Sequence, residues 1–543
     1  MIPQRIVIVG GVAGGMSAAT RLRRLSEDAE ITVLERSGYV SFANCGLPYH
    51  VGGVIEQRDA LLLQSPAALW DRFRLDVRVR HEATDVDPER RVLTVRDLDR
   101  GEDLPLPYDV LVLSPGARPV RPTIPGIERA LALRDIEDLD TLVAAIQGRR
   151  TAAVIGGGFI GLELAENLTR AGLEVSVIEA ADQVMAPLDP ELAAMVAEEL
   201  RTHGVHLHLS ASAAGISATS VELADGTTVP ADVTVAAIGV RPDTDLAEKA
   251  GLRLGVLGGI EVDDQLRTSD PAIFAVGDAV EKQLALAGAA LVPLAGPANR
   301  QGRLVADTIA GVPGRDPGLL GTAIVQVFDL QVGVTGLNEK TLRRTATPYR
   351  AIHTHPMSHA DYYPGARQLA LKLLVDPDSD LILGAQAVGA SGVDKRIDVI
   401  ATAIRGGLTA GDLVDLDLSY APQFGSAKDP VNMLGYVARN QRAGTTRTIQ
   451  WHEVADALST GSVLVDVRTP QEYAAGSIDG AINLPLDSLR DLIDEIPTGT
   501  MVVVFCAVGQ RGHVASRLLS QNGIEVRNLD GGYRTWKFAH STA

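Results

Sequence analysis

Cysteine is almost absent from this chain: two in 543 residues, Cys45 and Cys506. Two thiols so far apart give no disulfide framework of the kind that staples small secreted domains, and the expected setting is a reducing cytoplasm. Long apolar runs are absent too. The longest candidate, 283–298, is too short to span a bilayer and contains Pro293 and Pro297. The start, through Met1, Ile2 and Pro3, leads towards a strand at Arg5 without a signal-peptide pattern. Positive charge is in deficit, with 50 Lys and Arg against 68 Asp and Glu and a net charge of −18. That balance repels nucleic acid and anionic membranes, so neither is an expected partner, and an anionic small molecule needs a local basic patch. The remainder, 46% hydrophobic and 22% charged, is the composition of a soluble globular protein, over a length that requires several domains.

Two segments have the pattern of nucleotide-binding turns. Arg5–Val9 is an apolar strand that runs into Gly10, Gly11, Val12, Ala13, Gly14 and Gly15; a helix is predicted from Met16 to Leu25 and a second strand from Ile31 to Glu35. Such a βαβ unit brings backbone N–H groups against a pyrophosphate at a helix N-terminus, and Glu35 is placed to take ribose hydroxyls. Val12 stands where the fingerprint has its middle glycine, so a less close backbone approach is expected there. The second unit has strand Thr151–Ile155, glycines at all three places (Gly156, Gly158, Gly161), a helix from Leu162 to Arg170, and strand Glu174–Glu179. The Glu179 carboxylate suits ribose hydroxyls and repels a 2′-phosphate, which predicts NADH over NADPH. Two such units in one chain suggest a flavin enzyme in which NADH feeds FAD.

The cysteines lie in different chemical settings. Cys45 sits in Ser41-Phe42-Ala43-Asn44-Cys45-Gly46-Leu47-Pro48-Tyr49 with no second cysteine near it. An internal dithiol mechanism is thereby excluded. Its oxidised form must be a mixed disulfide with a small thiol, a persulfide or a sulfenic acid. Cys506 ends the apolar run Val502–Phe505 and opens the loop Cys506-Ala507-Val508-Gly509-Gln510-Arg511-Gly512, before a helix read from His513 to Gln521. Backbone N–H groups wrapped around a sulfur anion there would stabilise a thiolate or persulfide, with Arg511 adding charge and closing the loop. Arg21 and Arg24, three apart on the first helix, can share a face and offer the basic patch. His353, His355 and His359 invite a metal reading, but no cysteine is near and Asp361 is the one adjacent carboxylate, so no metal is assigned.

Residues 1 to about 440 resemble the pyridine nucleotide–disulfide oxidoreductases, in the branch of coenzyme A-disulfide reductases, NADH oxidases and NADH peroxidases. The resemblance rests on 41–49, on Val112-Leu113-Ser114-Pro115-Gly116-Ala117, on Ile273-Phe274-Ala275-Val276-Gly277-Asp278, on Lys395-Arg396-Ile397-Asp398, and on Tyr420-Ala421-Pro422 through Lys428-Asp429-Pro430. The last hundred residues resemble a single rhodanese domain, through Val463–Arg468, Glu472–Asn483, the Cys506 loop and Gly531-Gly532-Tyr533. The implied fold is α/β: two Rossmann-like nucleotide-binding domains, an α+β dimerisation domain and a C-terminal α/β rhodanese domain. The implied boundaries are 1–118 and 246–322 for FAD, 119–245 for NADH, 323–440 for dimerisation, 441–448 for a polar linker around Gly444-Thr445-Thr446, and 449–543 for the rhodanese domain.

The resemblance also implies site residues. FAD would lie on Gly10, Val12, Ala13, Gly14 and Gly15, with Glu35, Arg36, Ser114 and Gly116 around it and Asp278 on the ribityl chain. NADH would lie on Gly156, Gly158, Ile160, Gly161, Glu179 and Gly239. Phe159 replaces the tyrosine that gates the nicotinamide in many relatives, and Glu163 stands near the nicotinamide–flavin contact. Ser17, Arg21, Arg24, Ser41 and Asn44 would bind coenzyme A, although Phe73 replaces a lysine of the branch just beyond Asp71-Arg72. Tyr362 and Tyr420 would reach the substrate from the other subunit of a homodimer, beside Cys45. Asp466, Arg468 and Glu472 would brace the rhodanese fold. The expected function is NADH-dependent reduction of a persulfide, polysulfide or coenzyme A disulfide through Cys45, with Cys506 and Arg511 serving sulfur transfer. The alternatives are an NADH oxidase or peroxidase working through a sulfenic acid, and a sulfur-carrier or redox-sensing scaffold without turnover.

Overall fold

Unbroken apolar runs form the central strands because a parallel strand covered on both faces has no solvent side to alternate with. A computed structural model describes residues 4–497 and 499–541. The start read at Met1, Ile2 and Pro3, and the last two residues of the rhodanese boundary, lie outside the described residues. The chain divides into two compact units, one comprising residues up to Ala180 with Gly204–Leu319, the other Ala181–His203 with the remainder from Leu320.

In the first unit a five-stranded parallel sheet has the order Ile273–Ala275, Val110–Leu113, Arg5–Val9, Glu30–Glu35, Asp76–Val79. A second parallel sheet has the order His206–His208, Glu174–Ile178, Thr151–Ile155, Val233–Ala236. Each first strand leads through a glycine turn into a helix, Ala13–Leu25 and Phe159–Arg170. Both helices start three residues before their expected beginnings. The antiparallel pair Ala117–Pro119 and Val240–Pro242 runs between the two sheets.

The second unit holds an antiparallel sheet with the order Ala323–Val327, Leu330–Gly336, Ile382–Gly389, Ala370–Val375, Arg350–Thr354, packed on helices Val393–Gly406 and Pro430–Arg442. It also holds a parallel sheet with the order Thr448–Ile449, Val526–Leu529, Val502–Phe505, Val463–Asp466, Ile482–Asn483. The expected linker is ordered rather than loose. Helix Pro430–Arg442 occupies its first residues, and the buried Thr446 meets His513 Nδ1 at 2.7 Å. No described helix is long and apolar enough to cross a membrane.

Candidate active site

The first glycine turn is built for close approach. Gly10 has φ +102°, and a Cβ there would fall 2.0 Å from the Ser114 carbonyl oxygen; one on Gly15 would fall 1.9 Å from that of Gly10. Val12 caps the helix at φ −115°. The middle position therefore needs no left-handed backbone, and a residue other than glycine can occupy it. Glu35 accepts the Gly11 amide at 2.8 Å and the Ser37 amide at 2.9 Å. Burial raises the pKa of its carboxyl against the pull of those two bonds. Arg36 lies 3.9 Å from Glu82.

Across the turn, Asp278 Oδ1 is buried without a hydrogen-bond partner, with Lys282 Nζ 3.9 Å away. Burial raises the pKa of this carboxyl too. A buried acceptor left unmade is costly, and a ligand hydroxyl is a donor that would satisfy it. A Cβ on Gly14 would press on Ser114 Oγ at 2.9 Å and Val276 Cγ2 at 3.0 Å, so only glycine allows this close packing. Gly116, at φ +77°, accepts the Asp243 amide. These residues fit FAD. Sequence reading missed Arg134, a partly buried guanidinium that donates to the Pro115 carbonyl at 3.2 Å. Burial, and then Arg36, lower its pKa, while Asp135, Asp243 and Glu35 oppose that fall. It can face a pyrophosphate, and no spacing in the sequence marks it.

Cys45 is exposed in the short turn Asn44–Gly46, its amide bonded to Asn44 Oδ1 at 3.1 Å and its sulfur 3.7 Å from the same oxygen. Its segment is tied to the glycine turn through Ser41, which has φ +48° and donates its amide to the Gly11 carbonyl at 2.8 Å. That left-handed conformation is strained for serine. Although Cys45 reaches solvent, surrounding protein desolvates its thiol and raises its pKa, and the carboxylates of Glu163 and Asp278 add to the rise. Glu163 is in turn held by the Tyr49 hydroxyl at 3.0 Å.

The sign gives a test. A raised thiol pKa leaves little thiolate at neutral pH, and reactivity grows as pH climbs. Glu163→Gln removes one of the repelling charges and should bring the thiol pKa down. The thiolate fraction at pH 7.5, and with it the alkylation rate, should then rise. Iodoacetamide labelling of the Cys45 peptide, timed by mass spectrometry, measures it; an unchanged rate would refute the electrostatic coupling.

At the second turn Gly156 has φ +110° and a Cβ on Gly161 would fall 1.9 Å from its carbonyl oxygen. Gly158 caps the helix in extended conformation, half-buried Phe159 and exposed Ile160 open it, and Gly239 has φ +110°. Glu179 accepts the Gly157 amide at 2.6 Å, matching Glu35 on Gly11. The residues present fit a dinucleotide.

The expected coenzyme A residues are only partly free. Ser17 Oγ donates to Asn299 Oδ1 at 2.6 Å, across 282 positions of sequence. Asn299 is a second residue that reading missed, brought in by helix Ala295–Ile309, where Gly302 lets the backbone meet Gly14. Arg21 is paired with Asp307 at 2.7 Å, so the predicted two-arginine patch is half neutralised; Arg24 is exposed. Phe73 packs against the flavin-domain core, and its carbonyl accepts from Arg23 at 2.7 Å.

In the second unit Tyr362 and Tyr420 are exposed, with hydroxyls 3.1 Å apart. Buried Arg396 pins both loops, donating to Asp429 Oδ2 and to the Ser358 carbonyl at 3.0 Å each. Burial with bidentate partners is what guanidinium geometry allows. The hydroxyl–hydroxyl bond raises the Tyr362 pKa.

Cys506 is fully buried beneath its loop and takes the Gly509 amide at 3.2 Å. Among the described residues, Gly509 is the one loop residue whose amide bonds the sulfur, fewer than the expected ring. The helix starts at Gln510, so Arg511 belongs to its first turn rather than to the loop. Arg511 grips Glu472 at 2.6 and 2.8 Å, which holds the Glu472 carboxyl down at about 2. Asp466 binds Arg468 at 2.6 Å and Ser477 at 2.7 Å, and the Arg468 guanidinium sits 4.4 Å over the Tyr533 ring.

Comparison with known proteins matches residues 4–292 to the family described as pyridine nucleotide-disulphide oxidoreductase, 322–430 to its dimerisation domain, and 450–539 to the rhodanese-like domain. A coenzyme A disulfide reductase of Staphylococcus aureus strain JH9 is 34% identical over 441 residues, 80% of this chain and 100% of the relative. The crystal structure of reduced Bacillus anthracis CoADR-RHD is 47% identical, with TM-score 0.97 over 99% of this chain and 98% of that one. A NAD-dependent persulfide reductase from A. fulgidus is 39% identical, with TM-score 0.93 over 98% of this chain and 100% of that one.

Proposed function

The chain belongs to the pyridine nucleotide-disulphide oxidoreductase family, and from that premise we propose an NADH-dependent flavoenzyme that reduces a persulfide, a polysulfide or coenzyme A disulfide. The observation that carries the reading is Cys45: exposed, without a partner cysteine, and under the electrostatic influence of both the flavin acid Asp278 and the nicotinamide-helix acid Glu163. The relatives named for coenzyme A disulfide and persulfide, and the C-terminal rhodanese domain, support a sulfur substrate over oxygen.

Cys45 as thiolate attacks the S–S bond, forming a mixed disulfide or persulfide and expelling one thiolate. FAD, when bound, would supply the path for two electrons from NADH to that new S–S bond. With the hydride of NADH and one further proton the balance is two thiols from a disulfide, or a thiol and hydrogen sulfide from a persulfide. Ser41 and Gly11 hold the cysteine segment to the flavin turn. Ser17, Arg24 and Asn44 offer polar contacts to coenzyme A, Arg21 being already engaged by Asp307. Tyr362 and Tyr420, contributed by the partner of a homodimer, would donate hydroxyls to the departing thiolate. Cys506 carries sulfane sulfur, with Arg511 anchored by Glu472. The proposed division keeps FAD to 1–118 and 246–322, NADH to 119–245, dimerisation to 323–440, and the rhodanese domain to 449–543, in a cytoplasmic enzyme.

The test is a steady-state survey of coenzyme A disulfide, coenzyme A persulfide, polysulfide and oxygen with either nicotinamide. The expected result is turnover of a sulfur substrate, with kcat/KM higher for NADH because Glu179 repels a 2′-phosphate. Turnover with oxygen alone would overturn the function, and a higher kcat/KM with NADPH would overturn the Glu179 argument.

A further inference from the structure

Two of the three histidines that suggested a metal, His353 on strand Arg350–Thr354 and His355 just beyond it, lie against the rhodanese domain. Buried His353 is bonded at both ring nitrogens: Nδ1 to Asp530 Oδ2 at 2.7 Å and Nε2 to Glu191 Oε1 at 2.9 Å. Its own amide donates to the same Asp530 oxygen at 2.9 Å. Two carboxylate partners require two N–H donors, so the ring is an imidazolium. Around it Lys372, its cross-strand neighbour, contacts Glu191 at 2.5 Å, Glu339 at 2.7 Å and Asp189 at 2.9 Å. Gln450 donates to Asp530 Oδ2 at 3.2 Å. Burial works against charge on His353, but the bonds to Asp530 and Glu191 outweigh it and hold the imidazole up at about 9. The adjacent His355 faces the hydroxyl of Thr535 at 2.8 Å instead, and burial pushes it down to about 3, leaving it neutral.

Asp530 is the residue before Gly531–Gly532, and this double-glycine turn is one backbone thick between His353 and the sulfur loop. A Cβ on Gly531 would fall 2.8 Å from His353 Cβ, and one on Gly532 2.5 Å from the Cys506 carbonyl oxygen, 2.7 Å from the Gly509 amide and 2.8 Å from that of Val508. Both glycines have positive φ, +68° and +65°. The next two amides hold the loop: Tyr533 N–H to the Cys506 carbonyl at 2.8 Å and Arg534 N–H to that of Ala507 at 2.9 Å. The Gly509 amide of that loop is the donor to the Cys506 sulfur.

We propose that His353 and Asp530 are positioning residues for sulfur transfer: the ionic contact from the dimerisation domain holds the Gly531–Gly532 turn, and the turn holds the Cys506 loop with its Gly509 amide on the sulfur. This rests on reading Cys506 as the sulfur carrier. The domain is then a fixed station on the dimerisation domain rather than a tethered arm. The contact is complete below about pH 6.5, where a free imidazole is also charged, and is lost as pH rises through about 9.

The experiment uses the full-length protein. His353→Gln keeps size and polarity and loses the charge. Sulfur transfer from thiosulfate to cyanide should fall about tenfold or more in kcat with little change in KM, NADH-linked reduction of a small disulfide should stay within about twofold, and the fall in transfer near pH 9 should disappear. Asp530→Asn should reproduce the loss. Hydrogen exchange at Gly509, Tyr533 and Arg534 should quicken in both variants, and in the unaltered protein between pH 7 and 9.5 after correction for intrinsic rates. Unchanged kcat, pH profile and amide protection would overturn the proposal, and unchanged protection in the unaltered protein would do so even if neither variant folds. Transfer that survives Cys506→Ser would instead overturn the carrier reading.

Discussion

Cys45→Ser should lower NADH-linked reduction of every sulfur substrate to below about 10⁻³ of the unaltered enzyme, the scale on which loss of a covalent nucleophile acts. The reason is chemical rather than steric. A serine hydroxyl is scarcely ionised at neutral pH, and its oxygen forms no S–S bond that can accept two electrons. The Cys45 segment carries no second thiol to substitute, since the only other cysteine in the sequence is Cys506. The fold should survive, because Cys45 is exposed and the hydrogen-bond contact of its sulfur to Asn44 Oδ1, at 3.7 Å, is long. Steady-state NADH oxidation with each disulfide or persulfide checks it, with bound flavin absorbance as the folding control. Residual reduction above a few per cent would show that the flavin passes electrons directly to substrate.

Cys506→Ser should abolish sulfur transfer from thiosulfate-type donors, again by about 10³-fold or more, because persulfide formation needs the sulfur itself. NADH-linked reduction of a small disulfide uses Cys45 and should persist. The two variants together give the sharper result: each should lose one activity and keep the other. Equal loss of both activities in Cys506→Ser would mean that the second thiol also serves the reduction of small disulfides. Mixing the two variants should restore transfer-linked NADH oxidation only if the sulfur-bearing thiol diffuses between molecules or if partners in a dimer share the chemistry.

Much of the site was legible because its signals are local. The glycine turns at 10–15 and 156–161, the acids Glu35 and Glu179 one strand later, and Cys45 and Cys506 each sit within a few residues of what defines them. Val12 looked like a defect because the fingerprint states residue type and not φ; the helix cap accepts valine at a negative φ. Arg511 was read into the loop because a helix start was placed three residues late, past a positive-φ glycine that ends the turn. Residues 441–448, read as a linker by composition, are ordered: Thr446 is buried against His513 and Thr448 begins a strand.

By itself, the sequence determined the chemistry: two dinucleotide turns, one cysteine without an internal partner, and a second cysteine at the mouth of a helix. These depend on residue types at short spacing, which chain geometry converts directly into local structure. Only the tertiary structure decided which charges remain available. It set Asp307 on Arg21, Asn299 on Ser17, the Pro115 carbonyl on Arg134, and Glu191 and Asp530 on the two sides of His353. Those partners lie tens to hundreds of residues away, and a buried charge takes its meaning from whatever the fold packs against it.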